Sequence, residues 1–386
     1  MSKYIWKELK RVILKKKISI IVILMITVVI GLVSVTKTKT LEVQLQQNKN
    51  LLDSQKITRD KQETEFKKAE FSKDIIGTEK NIADKEAQLA TINNYDKSKL
   101  DEQIQKLEKE NDPKNEYKIR QLKYEKDHNI EKKELIPKGI AAGLNLMVFI
   151  PPLYLLVFII FLSDIVSGEY APNTIKNLLT KPIARRRIII SKFIVSIILS
   201  TNTIVISTII FIVEAAIKLG ISDYRMPLDV GAKYVLDKSL PLTALTSQMK
   251  YVSGSLRMIS LWSSIVELVL ITIIVSIAIT SIIIFISTIC KNSLISALTN
   301  FILIVGTFIW YFLKFQGNYL VSAKYGVFLK FFPIPYMINV FDVLTGQISI
   351  VFTSNINIFF ISIVCLGWTL IMIFLSTYVF EKRDFD

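Results

Sequence analysis

The chain has 386 residues, of which 51% are hydrophobic, and its mean hydropathy is +0.43. This composition is too apolar for a soluble protein and fits several membrane spans. The formal net charge of +15 does not indicate nucleic-acid binding, because the basic excess lies beside the apolar runs, where the positive-inside rule places it. The two cysteines, Cys290 and Cys365, lie in apolar runs, which argues against a disulfide framework and a zinc site.

Residues 1–17 form a basic, amphipathic segment. This pattern is typical of a helix that lies in the inner membrane interface, and a plain cluster of topogenic charges explains it equally well. Residues 18–35 predict the first span, with a length near the minimum for a bilayer. The lysines before it place the N-terminus in the cytoplasm, and the apolar run is too long for a cleavable signal.

Residues 36–138 are highly charged with nearly balanced signs and are expected outside the cell, between spans one and two. Apolar residues at helical spacing predict a large extracytoplasmic α-helical hairpin, similar to a coiled coil, with its tip near residues 93–95. Gly77 and Pro113 predict further breaks. A segment with so many charges can also be partly disordered, and this alternative stays open.

Five more apolar runs predict spans, so the expected fold class is an all-α membrane protein with six transmembrane helices. Pro151 and Pro152 predict a kink in the second span. The predicted spans are residues 18–35, 139–162, 188–213, 258–290, 294–313 and 351–380. The other segments are a cytoplasmic passage at 163–187, an outer loop at 214–257, an outer segment at 314–350 with a re-entrant or interfacial helix, and a cytoplasmic tail at 381–386.

The passage at 163–187 is short and polar and lies between two apolar runs. Asn173 or Thr174 can cap the N-terminus of a short helix, and Leu178 and Leu179 fall on one face of that helix. Pro182 ends it, because proline cannot continue the hydrogen-bond ladder. On composition alone, an ordinary membrane-surface linker is the better interpretation of this passage.

The order of residues in the passage resembles the intracellular loop of type-2 ABC exporter permeases. That family has a pattern close to E-x-x-x-G-T, then L-L, then P-x-x-R, then a lysine that opens the next span. The matching residues here are Glu169, Thr174, Leu178, Leu179, Pro182, Arg185 and Lys192. Asn173 stands where the family usually has glycine, and asparagine tolerates a left-handed backbone better than most residues.

The resemblance implies a role for this passage and a set of partners. In the family, the passage is a coupling helix that docks on a separate ATP-hydrolysing subunit, and two six-span halves form the pathway. We therefore expect an ABC ATPase as one partner and a second copy, or a homologous permease, as another. ATP would be bound by the ATPase partner and not by this chain.

The sequence contains none of the motifs expected of an enzyme of the common classes. It has no phosphate-cradling G-x-x-x-x-G-K-[ST] loop, no H-E-x-x-H and no G-x-S-x-G. We therefore expect no catalytic residues, no metal site and no cofactor on this chain. The energy for transport would come from the ATPase partner.

Two polar residues within predicted spans are candidates for a substrate pathway. Glu267 lies about two turns into span four, where a charge is costly; it is either a cavity-facing contact, a partner for a lysine, or close enough to the interface to stay hydrated. Asn300 in span five lies near Ser296 and Thr299, and hydrogen bonding to another span is the better interpretation for it.

Two hypotheses follow. In the first, the chain is the permease subunit of an ATP-driven exporter, a multi-pass protein of a bacterial plasma membrane in contact with its lipids. The substrate would be amphipathic or hydrophobic: an antimicrobial peptide, an antibiotic or a lipid-like molecule. In the second, the chain is a membrane-anchored binding or mechanotransmission protein whose hairpin at 36–138 engages an extracytoplasmic partner. The ordered coupling pattern discriminates between them, since an anchor does not need it.

Overall fold

A computed structural model describes residues 2–37, 41–60, 65–110, 112, 115–170, 184–243, 246–315 and 318–383. The described chain is mostly helical and divides into two compact units. The membrane unit comprises Met1–Ile30, Gly143–Val213 and Leu228–Asp386, and the second unit comprises Gly31–Ala142 and Glu214–Pro227.

The helices of the first half of the chain include one long apolar helix that follows a short basic one. They are α1 (Ser2–Lys15), α2 (Lys17–Lys37), α3 (Leu41–Asp60), α4 (Glu65–Asn93), α5 (Leu100–Glu110), α6 (Glu116–Asp127), α7 (Gly139–Phe149), α8 (Pro151–Leu162) and α9 (Arg185–Leu219).

The described residues of the second half form two long apolar helices, four short ones and a final long helix. They are α10 (Leu261–Ile289), α11 (Ser293–Lys314), α12 (Tyr319–Leu329), α13 (Pro333–Ile338), α14 (Val340–Thr345), α15 (Ile348–Val351) and α16 (Ile358–Lys382).

Five helical stretches of the described chain are long and apolar enough to cross a membrane: Pro151–Glu169, Arg185–Leu219, Leu261–Ile289, Ser293–Lys314 and Ile358–Lys382. Helix α2 has 21 residues, and its apolar part, as far as it is described, is the shorter stretch Ile23–Leu32. The chain thus has several candidate spans, and the count of six remains a prediction.

The predicted second span consists of two helices. Helix α7 ends at Phe149, and α8 begins at Pro151, with prolines in its first turn. Proline lacks an N–H and has a fixed φ, so it suits the first turn of a helix and interrupts a longer one. The double proline therefore divides this apolar run at Ile150.

The chain is mostly helical, as the sequence predicted, and a few short strands lie in and just after the outer loop predicted at 214–257. The strands are β1 (Pro227–Val230), β2 (Tyr234–Leu236), β3 (Met249–Tyr251) and β4 (Arg257–Ser260). Strand β1 pairs with β4, and β2 pairs antiparallel with β3, with Tyr234 opposite Tyr251. Strands of three and four residues carry too little alternation to be recognised in sequence.

Gly346 allows this β-structure to pack on the end of α14. Its φ is +87°, and a Cβ built on it would lie 1.9 Å from the carbonyl oxygen of Ala232. The backbone N–H groups of Gly231 and Ala232 donate to the carbonyls of Leu344 and Thr345 at 3.0 and 2.9 Å. Only glycine combines this backbone conformation with so close an approach.

The described helices between residues 41 and 127 form two pairs, whereas the sequence predicted a single hairpin with its tip near residues 93–95. The ion pairs Lys49–Glu86 (2.8 Å) and Lys56–Glu79 (3.1 Å) show that α3 and α4 are antiparallel. Helices α5 and α6 pack around a small core of Leu100, Ile104 and Leu122. The break expected at Gly77 is absent from this part of the chain, since α4 runs through it; one glycine costs a helix only about 1 kcal/mol.

Candidate functional site

The chain leaves α8 through a turn that α10 and α11 hold in place. The backbone N–H groups of Val166 and Ser167 both donate to Ser287 Oγ on α10, at 3.2 and 3.1 Å. Ser296 Oγ on α11 donates to the carbonyl of Ser163. A buried 3-10 turn, Ser167–Glu169, follows. Glu169 is thereby held at a fixed place before the segment 171–183.

Lys192 lies on the buried face of α9 and is only 1% exposed. Its ammonium donates to Glu8 Oε1 at 3.0 Å, to the carbonyl of Ile165 at 2.7 Å and to Glu169 Oε1 at 3.1 Å. An ammonium has three N–H donors, and here each has an acceptor. The cost of burying this charge is therefore offset by two carboxylates and a carbonyl.

Arg11 completes the arrangement from α1. Its Nη1 donates to Glu169 Oε2 at 2.9 Å, and its Nη2 contacts both Glu8 and the other oxygen of Glu169. Burial lowers the pKa of Arg11, but the hydrogen bond to Glu169 and the charge of Glu8 raise it above the ordinary value. We call Glu8, Arg11, Glu169 and Lys192 the ion-pair cluster; its two cations balance its two carboxylates.

A second ion pair lies at the junction of α1 and α2. Lys16 contacts the carboxylate of Asp164, and its Nζ donates to the carbonyls of Phe161 at 2.7 Å and Ile160 at 3.1 Å. A cation at these last carbonyls of α8 interacts favourably with the negative end of the helix dipole. The N-terminal helices therefore contact the end of α8 at two places.

The chain's C-terminal end contacts both sides of the segment 171–183. Arg383 donates to the carbonyls of Thr288 (2.6 Å) and Ile289 (3.0 Å) at the end of α10, and to the hydroxyl of Tyr170 (3.1 Å). Arg185 donates to the carbonyls of Glu381 and Arg383 at 3.1 and 3.0 Å. Tyr170 precedes the segment and Arg185 follows it, so the last turn of α16 connects its two flanks.

The structure brings together some of the coupling residues predicted from sequence. Glu169 and Lys192 are in direct contact, whereas Arg185 lies at the start of α9 against the C-terminal end. Four others lie outside the described residues, within 171–183: Thr174, Leu178, Leu179 and Pro182.

Sequence reasoning missed three charged residues of this region: Glu8, Arg11 and Arg383. A signal for one of them was present, because Glu8 is the single acidic residue among the first 41 positions. An isolated acid within a basic amphipathic segment points to a specific partner. One of its two partners, Lys192, lies 184 positions away, so the sequence alone does not identify it.

The two candidate pathway residues lie elsewhere in the membrane unit. Glu267 accepts from Arg257 Nη2 with both carboxylate oxygens, at 2.9 and 3.0 Å, so its partner is an arginine. Asn300 is fully buried, and its Nδ2 donates to the carbonyl of Ser296 in its own helix. The link from this face of α11 to another helix is made by Ser296, which contacts the carbonyl of Ser163.

The ion-pair cluster is built to hold position and not to perform acid–base or metal chemistry. Both carboxylates are engaged by cations at hydrogen-bond distance, which leaves no poised base. Among the described residues, no group of three or more His, Cys, Asp or Glu side chains is arranged to hold a metal ion. The arrangement fixes three chain segments relative to one another: α1, the turn before residue 171 and α9.

Residues 3–385 match the model of a family described as ABC-2 family transporter protein. No curated protein matches the chain. The match extends over α1, the ion-pair cluster and the C-terminal end, as well as over the apolar helices.

Proposed function

The chain belongs to the ABC-2 family of transporter proteins, the type-2 ABC permeases, and from this premise we propose that it is the membrane subunit of an ATP-driven exporter. Members of the family are multi-pass membrane subunits that work with an ABC ATPase. We propose that the ATPase docks on the passage 163–187 from the cytoplasm of a bacterial cell, and that both termini are on that side. The cargo is an amphipathic or hydrophobic molecule that leaves the cell.

The observation that carries this proposal is the ion-pair cluster. Glu169 precedes the segment 171–183, Lys192 follows it, and Glu8 and Arg11 bind both residues to α1. Breaking one partner out of a buried ion pair costs about 3–5 kcal/mol. If the passage at 163–187 is displaced, α1 and α9 therefore move with it as a rigid body. Separating these three segments would leave buried charges unpaired.

The C-terminal end extends the same argument to a second pair of helices. Arg383 donates hydrogen bonds to Tyr170 and to the end of α10, and Arg185 at the start of α9 donates a hydrogen bond to the last turn of α16. A movement of the coupling passage would therefore reach α10 and α16 through charge-assisted hydrogen bonds. This arrangement favours a permease, because the spans of a permease must move during transport. The spans of an anchor need only hold the protein in the membrane.

Co-purification tests the docking step. The tagged chain is isolated in mild detergent, and the masses of the co-purifying proteins are determined. We expect an ATPase of nucleotide-binding size, and we expect its loss from the Leu178→Asp/Leu179→Asp double variant. Lys291→Asp is the matched control, because it places the same charge in the exposed turn between α10 and α11, which the proposal also puts on the cytoplasmic side.

ATP hydrolysis and export test the coupling step. Glu169→Gln removes one carboxylate of the ion-pair cluster and leaves the segment 171–183 unchanged. We expect this variant to retain its ATPase partner and to lose the dependence of hydrolysis on cargo. If hydrolysis and export both survive this change and the Leu178→Asp change, the coupling assignment is wrong.

A second candidate function is a membrane-anchored binding or mechanotransmission protein. The favouring observation is the second unit, Gly31–Ala142 with Glu214–Pro227, which has a core of its own around Leu100, Ile104 and Leu122. A chain that purifies alone, or with an extracytoplasmic partner held by residues 36–138, would support this candidate over the exporter.

A further inference from the structure

A cleft of about 570 Å³ lies in the membrane unit, where residues 267–274 of α10 and the start of α16 meet the β-structure. Its volume falls in the range of about 300–1,000 Å³ found for small-molecule sites. Six lining residues carry the argument: Lys233, Arg257, Glu267, Leu270, Ile274 and Ile358. None of them belongs to the ion-pair cluster or to the passage at 163–187.

One end of the cleft is charged, with an excess of cations. Arg257 and Lys233 supply two positive charges, and Glu267 supplies one negative charge. Arg257 binds Glu267 through Nη2 alone, and in the part of the chain that the structure describes its Nε and Nη1 donate no hydrogen bond. Within the same part, the Lys233 ammonium contacts no carboxylate. This end therefore offers several N–H donors to an anion.

The other end of the cleft is apolar. Leu270 and Ile274 follow Glu267 on the same face of α10 at helical spacing, so the wall changes from charged to apolar over about 10 Å. Leu270 is 54% exposed, and Ile358 at the start of α16 is 45% exposed. Both lie in helices that are candidate spans, so this side of the cleft opens toward hydrocarbon.

We propose that the cleft binds a lipid-like amphiphile with an anionic phosphate headgroup and one apolar chain, taken from the outer leaflet. The phosphate is held by Arg257 and Lys233, because arginine suits bidentate contacts with phosphate oxygens, and the chain lies along Leu270 and Ile274. A folded peptide does not fit this volume. This inference rests on the proposed exporter function and extends it. It names the class of cargo and a binding site on the side where the cargo leaves.

Ligand binding to the purified full chain in a neutral maltoside detergent tests the site. The probe is lysophosphatidylglycerol, and bound probe is counted by native mass spectrometry. The Lys233→Gln/Arg257→Gln variant should lower its affinity about tenfold or more, since each charged hydrogen bond contributes. The affinity of this variant for an uncharged monoacylglycerol with the same acyl chain should not change. Lys250→Gln is the matched control, an exposed lysine on β3 outside the cleft.

A second variant tests the apolar end. Ile274→Trp adds a bulky ring to the apolar part of the lining and should lower the affinity for both lysophosphatidylglycerol and the monoacylglycerol. Unchanged lysolipid affinity in both variants overturns the proposal. Displacement of the probe by inorganic phosphate at equal concentration also overturns it, because the site would then bind a free anion. The assay needs no ATPase, so its failure is distinct from a failure of the coupling experiments.

Discussion

The ammonium of Lys192 lies 3.1 Å from the carboxylate of Glu169, and the two residues stand on opposite sides of the segment 171–183 in sequence. Their contact joins the start of α9 to the end of the turn that follows α8. Both side chains are almost fully buried, so the contact is sheltered from the screening that weakens surface ion pairs.

Removing the charge of Lys192 should destabilise the membrane unit strongly. In Lys192→Met, the carboxylates of Glu8 and Glu169 stay buried with only Arg11 to neutralise them. We expect a loss of about 3–5 kcal/mol in the free energy of unfolding, measured by thermal unfolding of the purified chain in detergent.

The paired variant Glu8→Gln/Lys192→Met is the control for this prediction. It removes one charge of each sign, so Arg11 and Glu169 remain as a balanced pair. Most of the lost stability should return, because replacing both partners of a buried pair is often nearly neutral. A double variant as unstable as the single one would show that the cluster does not act as a unit.

Arg383, at the C-terminal end, should contribute to the stability of the membrane unit. Arg383→Ala removes three hydrogen bonds, two to the end of α10 and one to Tyr170. We expect it to lower the free energy of unfolding by about 2 kcal/mol and to reduce ATP hydrolysis in the complex with the ATPase. Lys382→Ala is the comparison, since Lys382 is bonded to the hydroxyl of Tyr378 and lies over its ring on the exposed surface. Equal effects of the two substitutions would contradict the role assigned to Arg383.

In the second unit, Asp223 should hold the start of α7. Its carboxylate accepts from the backbone N–H groups of Lys138, Ile140 and Ala141, at 2.6, 3.2 and 2.9 Å, and the residue is fully buried. Asp223→Ala leaves these donors without an acceptor, at a cost of about 1–3 kcal/mol. Amide hydrogen exchange at these positions should accelerate, whereas Asp237→Ala, which removes a partly exposed carboxylate that accepts from Ser239, should leave them unchanged.

Glu125 should make the stability of α6 depend on pH. Burial raises the pKa of this carboxyl above its ordinary value, although the charge of Lys118 and the hydrogen bond from Gln121 oppose the shift. A raised pKa in the folded state means that protonation favours folding. The helix should therefore become more stable as the pH falls through the folded pKa, and less stable at neutral pH.

Amide exchange across α6, corrected for the intrinsic rate, measures this effect between about pH 7 and pH 5. Glu125→Gln should raise protection at neutral pH and remove the pH dependence. Glu108→Gln should keep the dependence, because Glu108 is an exposed residue of α5. A dependence that persists in Glu125→Gln would assign the effect to another group.

Several features of this protein follow from short stretches of sequence. The long apolar helices could be predicted because a bilayer requires each span to satisfy its own backbone hydrogen bonds, which makes the signal local. The division at Pro151 could also be predicted, because proline disrupts the helix in the turn where it lies. The pattern around Glu169 and Lys192 led to the family that the match over residues 3–385 confirms.

Other features required the tertiary structure, because they depend on partners that are distant in sequence. Gly77 indicates a helix break by propensity, yet packing and ion pairs between α3 and α4 carry the helix through it. The β-strands near Gly346 are too short to show a period, and their place is decided by backbone contacts with α14.

By itself, the sequence determined the class of protein, the apolar stretches and the polar passage at 163–187 between two of them, since hydrophobicity and turn chemistry act over neighbouring positions. Only the tertiary structure decided that Lys192 pairs with Glu8, and that Arg257 pairs with Glu267 beside an apolar wall. The physical reason is that a buried charge must find its counter-charge in space, and distance along the chain does not say where that partner lies.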